Sequence, residues 1–210
     1  MAILDATFNL AVRSLTVRAL FTGTQFADYA AMKKDFQSRG ILTVNVNFSD
    51  GTIFGGAVDN WHFRAWHDSA HLAVDSDFTQ AGERAASVYQ IAQVFAAYGI
   101  NPVTGRWAAL IDCEVNAQAE HFYRFGEFVQ DQSAFTLAQL RDVYKVELPD
   151  AFAGTDTAAA YWNAALAAMP PAQLDVYARP LVPPAYLLDY AGIFVDCMAN
   201  VRRDIRNRRR

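Results

Sequence analysis

Four histidines occur in this 210-residue chain, and two of them, His67 and His71, stand one helical turn apart in Trp66-His-Asp-Ser-Ala-His-Leu72. A His-x-x-x-His spacing puts both imidazoles on one face of a helix. The same face carries Phe63, Trp66, Ala70 and Val74, so the imidazoles project from the side expected to be buried, where their nitrogens need partners. Asp68 lies about 100° round the helix from His67 and three residues from His71, so its carboxylate can join from the edge. Two imidazoles and a carboxylate on two turns of helix suit a divalent metal, zinc before iron or manganese, with a position left open if the site is catalytic. The competing reading is a surface pair or a hydrogen-bonded core pair of histidines.

Glu83 follows His71 after eleven intervening residues, across the polar break Asp75 to Asp77, near the start of the next helix. The pattern His67-Asp68-x-x-His71, eleven residues, Glu83 resembles the metal motif of the Coq family of ubiquinone biosynthesis, specifically the member conventionally numbered four. Its surroundings are similar too, with Arg64 three residues before the first His, Leu72 after the second, and Gly82 before the Glu. The resemblance covers about 20 of the 210 residues. It implies that His67, Asp68, His71 and Glu83 are metal ligands on a mostly helical fold with a hydrophobic groove. It also implies chemistry at the ring-carboxylate carbon of a prenylated benzoate. Asp68 and Arg64 are then the catalytic candidates, Arg64 orienting a substrate carboxylate, with an ordinary salt bridge as its alternative. For Glu83 the alternative is electrostatic, because acidic residues are favoured in a helix's first turn without any metal.

A second group of polar residues lies on the helix expected from Trp107 to Phe128. Leu110, Ile111, Ala117 and Phe125 mark its apolar stripe, and Glu114, Gln118 and His121 fall on that stripe. Buried polar groups need partners, so these three are expected to hold the metal-binding imidazoles from behind or to bind a second ion, the first being preferred. Glu114 and His121 bonding each other is the remaining reading. The Glu-x-x-His repeats of a ferritin-like di-metal centre are absent.

The elements that must position these residues are mainly α-helical. Residues 5 to 38 read as one or two helices ended by Gly40, and helices follow near 60 to 75, 79 to 98, 105 to 129, 136 to 146, 157 to 168 and 184 to 206. The alternating run Ile41 to Phe48, the turn Ser49-Asp-Gly51 and the return through Thr52, Ile53 and Phe54 predict one β-hairpin near 41 to 57. The expectation is a bundle-like single domain over residues 1 to 200 with a basic tail at 201 to 210.

Composition narrows the function classes. At 53% hydrophobic, 13% aromatic and 19% charged, the chain is too apolar to be disordered, and its aromatics exceed what filling a core demands, which suits an apolar pocket, a lipid-like substrate or a homo-oligomeric surface. The net charge of -4 hides an imbalance: without the last ten residues, which hold six Arg and one Asp, 12 basic residues face 21 acidic ones. Nucleic-acid contact is therefore confined to the Arg tail, which could equally meet an anionic membrane surface or complement the end of the last helix. Cys113 and Cys197, without CxxC spacing, read as core residues in a reducing compartment, and the expected location is the cytoplasm. His62, about 140° round the helix from His67, reads as solvated. The His67-Asp68 dipeptide is shared with HD phosphohydrolases, but those need a His well upstream, and none precedes His62. A gluzincin protease would carry Glu in place of Asp68. Three functions follow in order: an enzyme using one divalent ion on a small, largely apolar, carboxylated substrate; a metal-stabilised scaffold binding a lipid or partner; and a metal-dependent nucleotide or phosphoester hydrolase.

Overall fold

The computed structural model describes residues 5–144 and 146. The helices expected at 157 to 168 and 184 to 206, Cys197 and the Arg tail lie outside them.

At the start of the described residues, the Asp5 carboxylate accepts from the backbone N–H groups of Thr7 and Phe8 and so caps α1 (Ala6–Leu15). The other carboxylate oxygen accepts from the Trp107 indole at 2.8 Å. One residue thus starts a helix and ties it to a side chain 102 residues away. Phe8, Ala11 and Val12 on α1 are buried. Phe8 lies among the rings of Phe54, Phe63, Trp66 and Trp107 at centroid distances of 5.9 to 6.5 Å, and this aromatic nest is the centre of the main core.

The chain then forms β1 (Ala19–Thr22), α2 (Tyr29–Arg39) and β2 (Leu42–Asn45), with β1 and β2 paired in parallel, Ala19 opposite Leu42 and Thr22 opposite Asn45. The expected hairpin is therefore replaced by a parallel pair joined through a helix. The turn residue Gly51 does adopt a left-handed conformation, φ 79°, but Ile53 and Phe54 beyond it leave the sheet and bury in the aromatic core. β1 falls in a stretch that reads as helix, because four residues are too few for periodicity to separate the two. Gly40, φ 65°, ends α2 as expected.

α3 (Ala57–Val74) and α4 (Gln80–Tyr98) are joined by the short loop 75–79 and pack along one another. α3 is buried on several sides: Phe63 and Trp66 face the aromatic core, Ala65 faces β2 with Met32, Leu42 and Val44, and Ala70 faces α4. Asn101 and Thr104 cap α5 (Pro102–Asp112) reciprocally, with Pro102 in the first turn. α5 runs into a π-helical turn, Cys113–Ala117, then α6 (Gln118–Phe125), which Gly126 ends at φ 76°. α7 (Gln132–Asp142) closes the described part, burying Thr136 and Leu140. Cys113 is buried, as expected of a core thiol. No helix among the described residues is long and apolar enough to cross a membrane.

Because Asp5 both caps α1 and receives the buried indole N–H, Asp5→Ala is expected to cost about 2–3 kcal/mol, measured by denaturant unfolding.

Candidate metal centre

His67 and His71 come from the last turns of α3 and Glu83 from the first turn of α4. The His67 Nε2 stands 2.9 Å from the Glu83 Oε2, the His71 Nε2 stands 3.4 Å from the same oxygen, and the two Nε2 atoms are 3.1 Å apart. A tetrahedral ion with bonds of about 2.0–2.1 Å holds its ligands roughly 3.3 Å apart, so one small contraction or expansion fits this triangle to a first-row ion. These three residues are the one group of potential ligands that converge among the described residues.

What lies behind the imidazoles decides their protonation. The His71 Nδ1 is 3.1 Å from both the carbonyl oxygen and the hydroxyl oxygen of Ser76. That hydroxyl donates its own proton to the Gly82 carbonyl, so both Ser76 oxygens act as acceptors and the His71 Nδ1 must carry hydrogen. The His67 Nδ1 faces the Gln90 Oε1 at 3.0 Å, again an acceptor. Both rings therefore turn their Nε2 atoms toward the Glu83 carboxylate, which is the arrangement of metal-ligating histidines held from behind by carbonyl groups.

The electrostatics follow from the same contacts. Burial alone presses the His67 imidazolium down, but the charge of Glu83 and the hydrogen bond to it prevail and lift the group to about 9. Burial likewise works against the Glu83 carboxylate, and the two imidazoles outweigh it, holding Glu83 far below the usual carboxylate range. Asp68 shifts the other way, raised by burial and by the neighbouring Glu83 against the pull of His67, His71 and Arg64. Aromatic rings wall the site: Phe63 lies parallel to His67, and Phe78 meets His71 edge-on at 5.1 Å. The Tyr29 hydroxyl, on α2, donates to Asp75 just past the end of α3, and Lys33 pairs with the same carboxylate.

Of the residues expected from the sequence, His67, His71 and Glu83 come together. Asp68 stays outside the donor triangle, half-buried beside it, because one residue of helix turns its side chain away from the face that the two imidazoles share. The Arg64 guanidinium is engaged elsewhere: it donates to the carbonyls of Asn45, Asn47 and Phe48 and pins the loop after β2 onto α3. Glu114, Gln118 and His121 do not reach the imidazoles. The Glu114 carboxylate accepts from Thr136 and Gln118, and His121 packs against the rings of Phe125 and Phe135. The π-helical turn explains this, since its wider winding rotates the following residues off the line on which the stripe from Leu110 to Phe125 depends. Phe125 is accordingly 62% exposed while Leu110 and Ile111 are buried. His62 is half-buried, not solvated, with its ring against Phe21, and burial lowers its pKa.

The outer partners Gln90 and Ser76 lie outside the residues that the sequence pattern singles out. Gln90 sits two helical turns beyond Glu83 on α4, so the signal that finds it is a polar residue at i+7 from a candidate ligand. No family model, curated protein or solved structure matches this chain, and the chemistry of the centre rests on its geometry.

Gly82 fixes the approach of Glu83. A Cβ there would stand 1.9 Å from the Asp77 backbone carbonyl oxygen, so Gly82→Ala must push the loop 75–79 away from α4. The expected loss is about 1–3 kcal/mol by denaturant unfolding, with a displaced Glu83. A second outcome concerns Glu114, whose carboxyl is pushed up to about 7 by burial, against the hydrogen bonds from Thr136 and Gln118. An acid raised in the folded state is favoured while protonated, so its contribution is intact near pH 4.5 and is lost as pH rises to about 7. Glu114→Gln is expected to shrink the fall in Tm between pH 5 and pH 8 by on the order of 5 °C, measured by calorimetry.

Proposed function

We propose that the protein is a helical metalloenzyme that holds one divalent first-row ion, zinc foremost, through His67, His71 and Glu83. One observation carries the reading: three potential ligand atoms lie 2.9 to 3.4 Å apart while the opposite nitrogen of each imidazole faces acceptors only. Such a donor set, two imidazoles and a carboxylate, suits zinc, iron or manganese and not the oxygen-rich shells of calcium or magnesium. Bound there, the ion would act as a Lewis acid toward a substrate oxygen.

The chain's own residues set the rest. Glu83 offsets one of the ion's two charges, and Asp68 stands half-buried beside the triangle without occupying a ligand position. Three protein ligands leave room for a substrate, which favours catalysis over a closed structural site. Phe78, partly exposed and edge-on to His71, gives that flank an apolar character that suits a small, largely apolar substrate. A carboxylated ring, as implied by the Coq-family resemblance, belongs to this class. The second reading, a metal-stabilised scaffold, draws on the ligands coming from two helices that one ion would join.

Elemental analysis of the purified full-length chain is expected to give about one equivalent of metal. His67→Ala and Glu83→Ala each lose it, and a chelator lowers the Tm of the wild type alone. A wild-type protein with no stoichiometric metal and no response to chelator or added zinc overturns the proposal.

A further inference from the structure

Gln90 is fully buried, and its side chain is in a costly position. Its Oε1 meets the His67 Nδ1, but its Nε2 is buried without a hydrogen-bond partner among the described residues. A buried amide normally satisfies both ends, and a leucine or methionine would fill similar volume with no unmet donor. The carbonyl end therefore has to supply something that packing does not.

His67 shows what that is. A neutral imidazole carries one N–H, and the nitrogen that bears it depends on the acceptors around the ring. On the Nε2 side the Glu83 carboxylate waits at 2.9 Å, a strong acceptor that draws the proton onto the ligating nitrogen and blocks it. On the Nδ1 side the Gln90 Oε1 is the one hydrogen-bond partner among the described residues. His71 is better determined, with two Ser76 oxygens behind its Nδ1. In the neutral ring, the form that can bind a metal, the choice of tautomer at His67 thus turns on one amide, and its orientation matters: with the NH2 end toward Nδ1, the proton would be forced onto Nε2.

Resting on the metal-centre reading above, we infer that Gln90 is a positioning residue for the ion, its carbonyl holding the proton on the His67 Nδ1 so that Nε2 stays free to bind metal. Gln90 touches neither the ion's place nor Glu83; it acts through His67.

The test compares full-length wild type, Gln90→Leu and Gln90→Glu, using the visible absorption of added Co(II), zinc competition against a chromophoric chelator, and Tm of the metal-free proteins. Gln90→Leu is expected to keep or raise the metal-free Tm, having lost an unmet donor, while its metal affinity falls about 10–100-fold. Gln90→Glu, which keeps an acceptor at Nδ1, is expected to bind Co(II) and zinc within a few fold of wild type, or tighter. If Gln90→Leu binds as tightly as wild type, or if Gln90→Glu loses as much affinity as Gln90→Leu, the inference is overturned while the metal centre stands. A wild type that binds neither ion overturns both. Should Gln90→Leu fold poorly, Gln90→Met supplies the same comparison, and unchanged affinity there is equally fatal.

Discussion

Three lone pairs brought within 3.4 Å of one another repel unless a positive charge stands between them. That constraint organises the region where α3 meets α4. A proton on His67, drawn by Glu83, can meet it, and so would a divalent ion, with the same three atoms on its surface. Neither solution works unless the rings are held, because an imidazole free to turn about its χ angles would swing its lone pair away. Ser76, Gln90 and the flanking rings of Phe63 and Phe78 supply the hold.

The rest of the fold makes that hold rigid. α3 is fixed by the aromatic nest around Phe8 on one side and by Ala65 against the small sheet on another. Its end is tied down by the Tyr29 and Lys33 contacts to Asp75. α4 approaches closely only because Gly82 lacks a side chain where the Asp77 carbonyl passes. The Arg64 clamp on three carbonyls does similar work at the other end, keeping the loop after β2 against the helix that carries both histidines.

Much of this was legible in the sequence, and the parts that were not share a cause. The helix bearing His67 and His71, its buried face and the convergence of Glu83 depend on local periodicity and one short loop, which spacing encodes directly. The carbonyl contacts of Arg64 carry no sequence signal, because a guanidinium reads the same whether it meets a carboxylate or three carbonyls, and the carbonyls belong to residues 16 to 19 positions away. The parallel pairing of β1 with β2 was hidden by strand length. Glu114 and His121 fall on one line only in an unbroken α-helix, which the π-helical turn at Cys113–Ala117 replaces. The Gln90 contact depends on the orientation of the His67 ring, which spacing alone does not encode.

The π-helical turn has a consequence of its own. It works as a phase shifter: the rotational setting of α6 is decoupled from that of α5, although the two run on as a single rod. The same α6 sequence fused to α5 in continuous α-helix would carry Phe125 toward the line of Leu110 and Ile111. Instead Tyr123, Phe125 and Phe128 stand at the surface, with the Tyr123 hydroxyl reaching back to the Phe78 carbonyl beside His71. Lengthening or shortening that turn by a residue would steer the aromatic flank without touching either end of the rod, so the outer face and the buried helix can vary independently.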